Sequence, residues 1–173
     1  YLQDDAGSEL SDLNGNEAAD DNTITEIDLA APVIVSATTA DNGGMAGEID
    51  EIEVTFSEDI DGATLDGGGA DDFIVTDGAY TYTIASVAIS GTDGATITLN
   101  ERGIPDTGVT PDINLGIGDI EDLAVANNAI TVAQDFTATQ DGAPPVLYSF
   151  ELQPTNSFIQ VVYSEPVQQV GGG

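Results

Sequence analysis

The sequence predicts an all-β protein, an antiparallel sandwich of short strands, and three observations carry that prediction. Apolar and polar residues alternate in short runs, the pattern of strands with one buried face. Turns rich in Gly, Asp, Asn and Pro separate those runs at sandwich spacing, and no helical period intervenes. The motif that opens the main body begins again near the C-terminus, as it does in a tandem array.

Residues 1–30 are acidic and polar. Asp12-Leu13 and Asn16, then Asn22-Thr23-Ile24-Thr25, have counterparts in Asp122-Leu123 and Asn127, then Asn128-Ala129-Ile130-Thr131. A short connector and a proline-marked start follow each set. The segment therefore reads as the end of a preceding repeat, the alternative being a solvated acidic tail.

Residues 31–141 read as one complete domain. Val33 and Val35 open it, and residues 41–61 organise the rest. There an acidic, glycine-rich loop runs into Ile52, Val54 and Phe56, which alternate with Glu51, Glu53 and Thr55, and then into a second group of carboxylates. A strand rises about 3.3 Å per residue, so this one carries acid at both ends. Phe73 and Val75 form the next strand. Tyr80, Tyr82 and Ile84 continue into Val87 and Ile89 as one alternating run, and the turn Gly91-Thr92-Asp93-Gly94 leads to Ala95, Ile97 and Leu99. The last strands hold Ile130 and Val132, then Phe136; Asp66-Gly67-Gly68-Gly69 and Pro105-Asp106-Thr107-Gly108 are loops.

Residues 142–173 restart the pattern. PPVLYSF aligns with APVIVSA and IQVVYSEPV with IEVTFSEDI, so Pro32 corresponds to Pro145, 113 positions on, and Phe56 to Tyr163, 107 positions on. The difference falls in the acidic loop, which the second copy replaces with Gln153-Pro154-Thr155-Asn156-Ser157. The segment reads as the first two strands of a following repeat, or as exchanged strands.

Composition narrows the function. One Lys or Arg stands against 32 Asp and Glu, a formal charge of −31, so nucleic acid and anionic membrane are excluded as partners because nothing neutralises their phosphates. Cations are the natural partners, either Ca²⁺ in specific oxygen-ligand sites or salt around a generally acidic surface. Without Cys, His, Trp or Lys, thiol, His-triad and Schiff-base chemistry and the usual zinc sites are unavailable. No apolar run reaches the roughly 18 residues of a membrane helix. The opening on Tyr1, with no initiator Met or signal-like segment, is expected of a processed product or a window from something longer.

The order P-x-V-x-S-A, an Asp/Gly-rich loop, I-D-x-I-x-V-x-F-S-E, D-F-x-V, D-T-G-V-T-P-D and a D-x-A-G-N-like element resembles the bacterial Ig-like repeats of surface-layer and large cell-surface proteins. Here these are Pro32 to Ala37, Asp41 to Gly47, Ile49 to Glu58, Asp72 to Val75, Asp106 to Asp112 and Asp122 to Asn127. The last departs from the pattern, reading Asp122-Leu123-Ala124-Val125-Ala126-Asn127 without its glycine. The resemblance implies an antiparallel Ig-like Greek-key sandwich outside the cell, with a structural, adhesive or spacer role and no reaction.

Three groups of residues are candidate Ca²⁺ ligands. The first is Asp41, Asn42, Glu48 and Asp50, joined by Glu58 and Asp59 if the strand ends meet across the sheet; it lacks the spacing of an EF-hand. The second is Asp106, Asp112, Asp119 and Asp122. The third is Asp28 and Asp141, each just before a repeat's opening proline, where an ion would stiffen the hinge between domains. Each has a plain alternative, a hydrated acidic turn screened by salt.

Glycosidase chemistry needs two carboxyls about 5–9 Å apart in a cleft with sugar-stacking aromatics. With no Trp, and with Phe73, Tyr80 and Tyr82 at strand positions, the reading is of no enzyme. The function expected is therefore a calcium-stabilised structural module of a surface layer, adhesin array or filament at the cell surface, its partners identical subunits or neighbouring repeats. If residues 1–173 are the whole subunit, incomplete terminal strands would polymerise it by strand exchange. A carbohydrate- or ligand-binding accessory module of a secreted enzyme is the alternative, with surface glycans as partners.

Overall fold

The structure, a computed structural model, describes residues 28–43, 47–65, 71–123, 127–154 and 157–170. The repeat remnant read at residues 12–25 lies outside them. Alternation at period two puts Ile52, Val54 and Phe56 on one face of β2 (Glu51–Phe56), where they are buried. β2 pairs antiparallel with β1 (Ile34–Ala40) on one side and with β6 (Gly94–Leu99) on the other, and β5 (Ile84–Ser90) closes this four-stranded sheet in the order β1-β2-β6-β5. The second sheet runs β4-β3-β7-β8, from β3 (Phe73–Asp77), β4 (Tyr80–Thr81), β7 (Asp112–Leu115) and β8 (Gln134–Phe136). Successive pairs of strands alternate between the sheets, which is the order of an Ig-like sandwich.

Inward residues from both sheets make one core, in which Ile52, Val75, Ile97 and Ile113 are fully buried. The β5–β6 turn depends on Gly94: a Cβ there would lie 2.6 Å from the Ser90 carbonyl oxygen and 3.2 Å from that of Val54, closer than packed atoms tolerate. The free edge of β1 is covered in part by the exit segment, where Thr39 N donates to Gln140 O (2.8 Å) and Gln140 N to Ala37 O (2.7 Å).

Residues 142–170 form a separate antiparallel hairpin of β9 (Leu147–Leu152) and β10 (Ile159–Tyr163), both strands exposed along their whole length. The hairpin is tied to the sandwich near its base. The hydroxyls of Thr107 and Ser164 are 2.6 Å apart, and a Cβ at Gly47 would lie 3.2 Å from Ser164 and 3.9 Å from both Val146 and Tyr148.

Four details differ from the sequence reading. Val33 and Val35 are exposed, and Ile34, Ala37 and Thr39 face inward instead, because the β1–β2 register slips between Ile34 and Ser36. The run from Tyr80 to Ile89 is two strands. It breaks at buried Tyr82, where the chain crosses sheets; a second irregularity between Ile84 and Ser86 brings Val87 onto the inward face with Ile84, and Ile89, near the end of β5, is exposed. Ile130 is buried next to the isolated bridge at Ala129 rather than in a strand, while Val132 is exposed. β7, with Ile113 and Leu115 in the core, lies where the sequence reading places no strand.

Burial sets the expected cost of truncation. Ile97→Ala should destabilise by about 2–5 kcal/mol, whereas Phe150→Ala on the exposed hairpin should change stability by about 0.5 kcal/mol or less. Urea midpoints at constant m-value check both.

Candidate cation site

Three segments bring carboxylates together where the chain enters the domain. Asp28 comes from the entry segment ahead of β1, Glu58 from the turn after β2 and Asp122 from the segment between β7 and β8; one carboxylate oxygen from each lies within 4.8 Å of the others. The backbone fixes this meeting. Ile60 and Asp122 form an antiparallel bridge, Glu121 and Ala129 another, and Leu123 N donates to Asp59 O (3.2 Å). Asn128 joins the pieces: its backbone N donates to Asp122 Oδ1 (2.8 Å), and its Nδ2 donates to Asp122 Oδ2 (2.7 Å) and to the Asp28 carbonyl (3.1 Å).

Asp122 is buried, Glu58 half-buried and Asp28 exposed. Burial first, then the charges of Asp28 and Asp122 and a hydrogen bond with Asp122, raises the Glu58 carboxyl above its ordinary value. Like charges at about 4 Å repel by roughly 1 kcal/mol in water and about 4 kcal/mol at an effective dielectric of 20. Three hard oxygen ligands suit Ca²⁺, which takes six to eight oxygens at about 2.3–2.6 Å. Each carboxylate oxygen has two lone pairs, so the bonds from Asn128 leave Asp122 able to accept more.

These three residues come from three different groups in the sequence reading. The remaining candidates are dispersed. Asp41 Oδ2 accepts from Gly47 N (2.7 Å), Asp50 Oδ1 from Asn42 N (2.8 Å) and Glu48 Oε2 from Gly103 N (2.6 Å), while Asn42 Nδ2 donates to Glu51. Asp41 and Asp50 close the loop on its own backbone, and Glu48 ties it to the segment after β6. Asp112 Oδ1 accepts from Ala138 N (2.8 Å), Asp119 lies over Gly116, and Asp59 is exposed beside Glu58.

Asp106 is in the core. Its Oδ1 accepts from Ile49 N and its Oδ2 from the Tyr82 hydroxyl, both at 2.8 Å, with the Arg102 guanidinium 3.7 Å away. Burial first, then this bond to Asp106, raises the Tyr82 phenol above its ordinary value.

Asp141 meets Glu165 at the hairpin. Burial first, then Asp141, raises the Glu165 carboxyl, and a weaker hydrogen bond from Thr107 opposes the rise. In repeat register Asp141 corresponds to Asp28 and Glu165 to Glu58, so the entry pair occurs twice. Sequence reasoning missed Glu165 and Asn128 as site residues. The alignment of VVYSEP with VTFSED carries the signal for Glu165; Asn128 has none, because its role depends on reaching Asp28 across 100 positions.

Two outcomes follow. Asp106→Ala, which strands Tyr82, Ile49 N and Arg102, should destabilise by about 3–5 kcal/mol, equally in Ca²⁺ and in chelator, by denaturant titration. Glu58 binds its proton more tightly folded than unfolded, so its contribution is fully present below the ordinary carboxylate pKa and is lost as pH rises through the raised value. In chelator at neutral pH, Glu58→Gln should therefore melt above the parent, and the difference should vanish in acid.

Comparison with known proteins agrees with this architecture. The model of the bacterial Ig-like domain matches residues 28–138. Solved structures that this chain matches include the N-terminal part of the bacterial S-layer protein SbsC, at 22% identity over 71% of this chain and 26% of that one, TM-score 0.44. Domains 1–6 of surface layer protein SbsC match at 22% identity over 71% of this chain and 15% of that one, TM-score 0.45. This chain thus spans only a minor part of either. No curated protein matches it. With the family model covering more than half of the sequence and two antiparallel sheets in Ig-like order, the chain belongs to the bacterial Ig-like domain family.

Proposed function

We propose that the chain is a non-enzymatic structural module of an extracellular assembly, a surface layer, adhesin array or filament, and that Ca²⁺ stabilises it. The meeting of Asp28, Glu58 and Asp122 at the domain entry carries the calcium reading. A cation there ties the segment ahead of the first strand to the body of the sandwich, which stiffens the point where one domain hands over to the next. The structural reading is supported by family membership and by the uses of the other acids, which serve as backbone acceptors in loops. None of the described helices is long and apolar enough to cross a membrane. Identical subunits or neighbouring repeats are the proposed partners, with strand exchange between subunits as one route of assembly.

One observation favours the alternative, a carbohydrate- or ligand-binding accessory module: Tyr148, Phe150 and Phe158 are exposed on the hairpin, and surface glycans stack on such aromatics. Phe73 and Tyr82, in contrast, are buried.

The test is thermal melting. Ligand that binds only the folded state adds about 2.7 kcal/mol at a hundredfold excess over Kd, so melting should rise with millimolar Ca²⁺ and fall with chelator at fixed ionic strength. Glu58→Gln and Asp122→Asn should lose that increment. Equal melting in both media removes the calcium reading, and NaCl alone reproducing the gain assigns the acidity to salt tolerance.

A further inference from the structure

The hairpin of β9 and β10 repeats the β1–β2 pair position by position. In the domain the inward cross-strand pairs are Ile52 with Thr39, Val54 with Ala37 and Phe56 with Ile34; in the hairpin the equivalent positions pair as Ile159 with Leu152, Val161 with Phe150 and Tyr163 with Leu147. The irregularity repeats as well. β1 skips Val35 in its register and β9 skips Tyr148, which is its counterpart. Two strands do not acquire the same bulge at the same place by composition alone, since a bulge re-aims every side chain beyond it.

What differs is cover. Ile52, Val54 and Phe56 are at most 2% exposed beneath the second sheet, whereas Ile159, Val161 and Tyr163 are 60%, 47% and 42% exposed. Ala37 is fully buried and its counterpart Phe150 is 73% exposed. A two-stranded hairpin with an apolar face is marginal in water, and one edge of β10 is open where β6 pairs with β2 in the domain.

We infer that this face is the unfinished half of a second sandwich, and that its occupant is the complementary set of strands of another bacterial Ig-like domain, the equivalents of β3 to β8. It deepens the proposed assembly reading, on which it rests, by naming the partner surface. One strand of the occupant extends β10 as β6 extends β2, and the opposite sheet packs on Phe150, Val161 and Tyr163. Because Phe150 and Leu152 are larger than Ala37 and Thr39, the occupant carries smaller inward side chains opposite them than this domain does. The contacts of Gly47, Thr107 and Gly108 with Ser164, Val146 and Glu165 hold the second sandwich against the first. A side chain at Gly108 would collide with Glu165, its Cβ falling 2.9 Å from that of Glu165.

In the test, residues 59–138 of the same sequence follow Glu165 in place of residues 166–173, and Phe150→Ala and Leu152→Thr restore the volumes that those strands pack against. All measurements are made in chelator, so the outcome is independent of calcium. Hydrogen exchange of the β10 amides should slow on the order of 100-fold relative to the unextended chain, with a second unfolding transition that Val161→Asp abolishes while the first transition stays. Unchanged exchange, or a single transition insensitive to Val161→Asp, overturns the proposal. So does a concentration-dependent dimer of the unextended chain, seen by sedimentation, in which the β10 amides become protected, because the occupant is then a second copy of this chain joined by strand exchange.

Discussion

Arg102 is the one cationic side chain against 32 acids, and both loops at its end of the sandwich are arranged around it. Its guanidinium stands 4.2 Å from the centre of the Tyr80 ring and 5.6 Å from that of Tyr82, donates to Asp77 at 3.1 Å and to the Tyr82 hydroxyl at 3.2 Å, and lies 3.7 Å from Asp106. Burial alone would lower its pKa; the hydrogen bonds with Tyr82 and Asp77 more than offset that and raise it. Tyr80 and Tyr82 meet edge to face at 4.9 Å, so the cation contacts two rings already held against each other. Asp106 carries the constraint onward to Ile49 N, and Glu48 to Gly103 N. The acidic loop and the segment after β6 are thereby locked to a core that a net charge of −31 would otherwise work to expand.

With one cation available, the other acids need other means of being tolerated. Several use the backbone. Asp41, Asp50, Asp61 and Asp112 each accept from an N–H that no strand partner reaches, which satisfies a donor and spreads the negative charge in one contact. These bonds need no ion, and they separate a charge-rich loop from a ligand site. Asp28, Glu58 and Asp122 are different, because there carboxylates face one another. The distinction is geometric: an acid aimed at a backbone N–H is satisfied by it, and acids aimed at each other repel unless a proton or a cation lies between them.

Much of the fold was legible in the sequence because burial follows a period of two wherever strands are regular. Ile52, Val54 and Phe56, Phe73 and Val75, and Ala95, Ile97 and Leu99 all lie in the core as their alternation requires. The reading failed where a bulge changed the phase, as at Val35, since one extra residue flips the face without altering composition. β7 was obscured for another reason: Ile113 and Leu115 form a run of four residues between Pro- and Gly-rich loops, too short to stand out. The individual site acids could be named in advance, but not their grouping. Asp28, Glu58 and Asp122 are joined by bridges between segments distant in sequence, and spacing along a chain does not encode which turns of a sandwich meet.

The repeat gives the junction its physical logic. Asp28 and Glu58 at the domain entry recur as Asp141 and Glu165 where the hairpin leaves the sandwich. At the entry a third acid, Asp122, is supplied by the segment between β7 and β8 of the same domain. A second sandwich built on the hairpin would supply the equivalent acid only when its closing strands are in place. Completion of that fold and completion of its entry site would then be one event, so a cation binding there would favour the assembled domain over the open hairpin. The linkage runs both ways: whatever aligns the strands gathers the ligands, and whatever neutralises the ligands holds the strands. On the proposed reading of the entry site, assembly of successive domains in a chain with so little positive charge of its own would depend on the ion content of the surrounding medium.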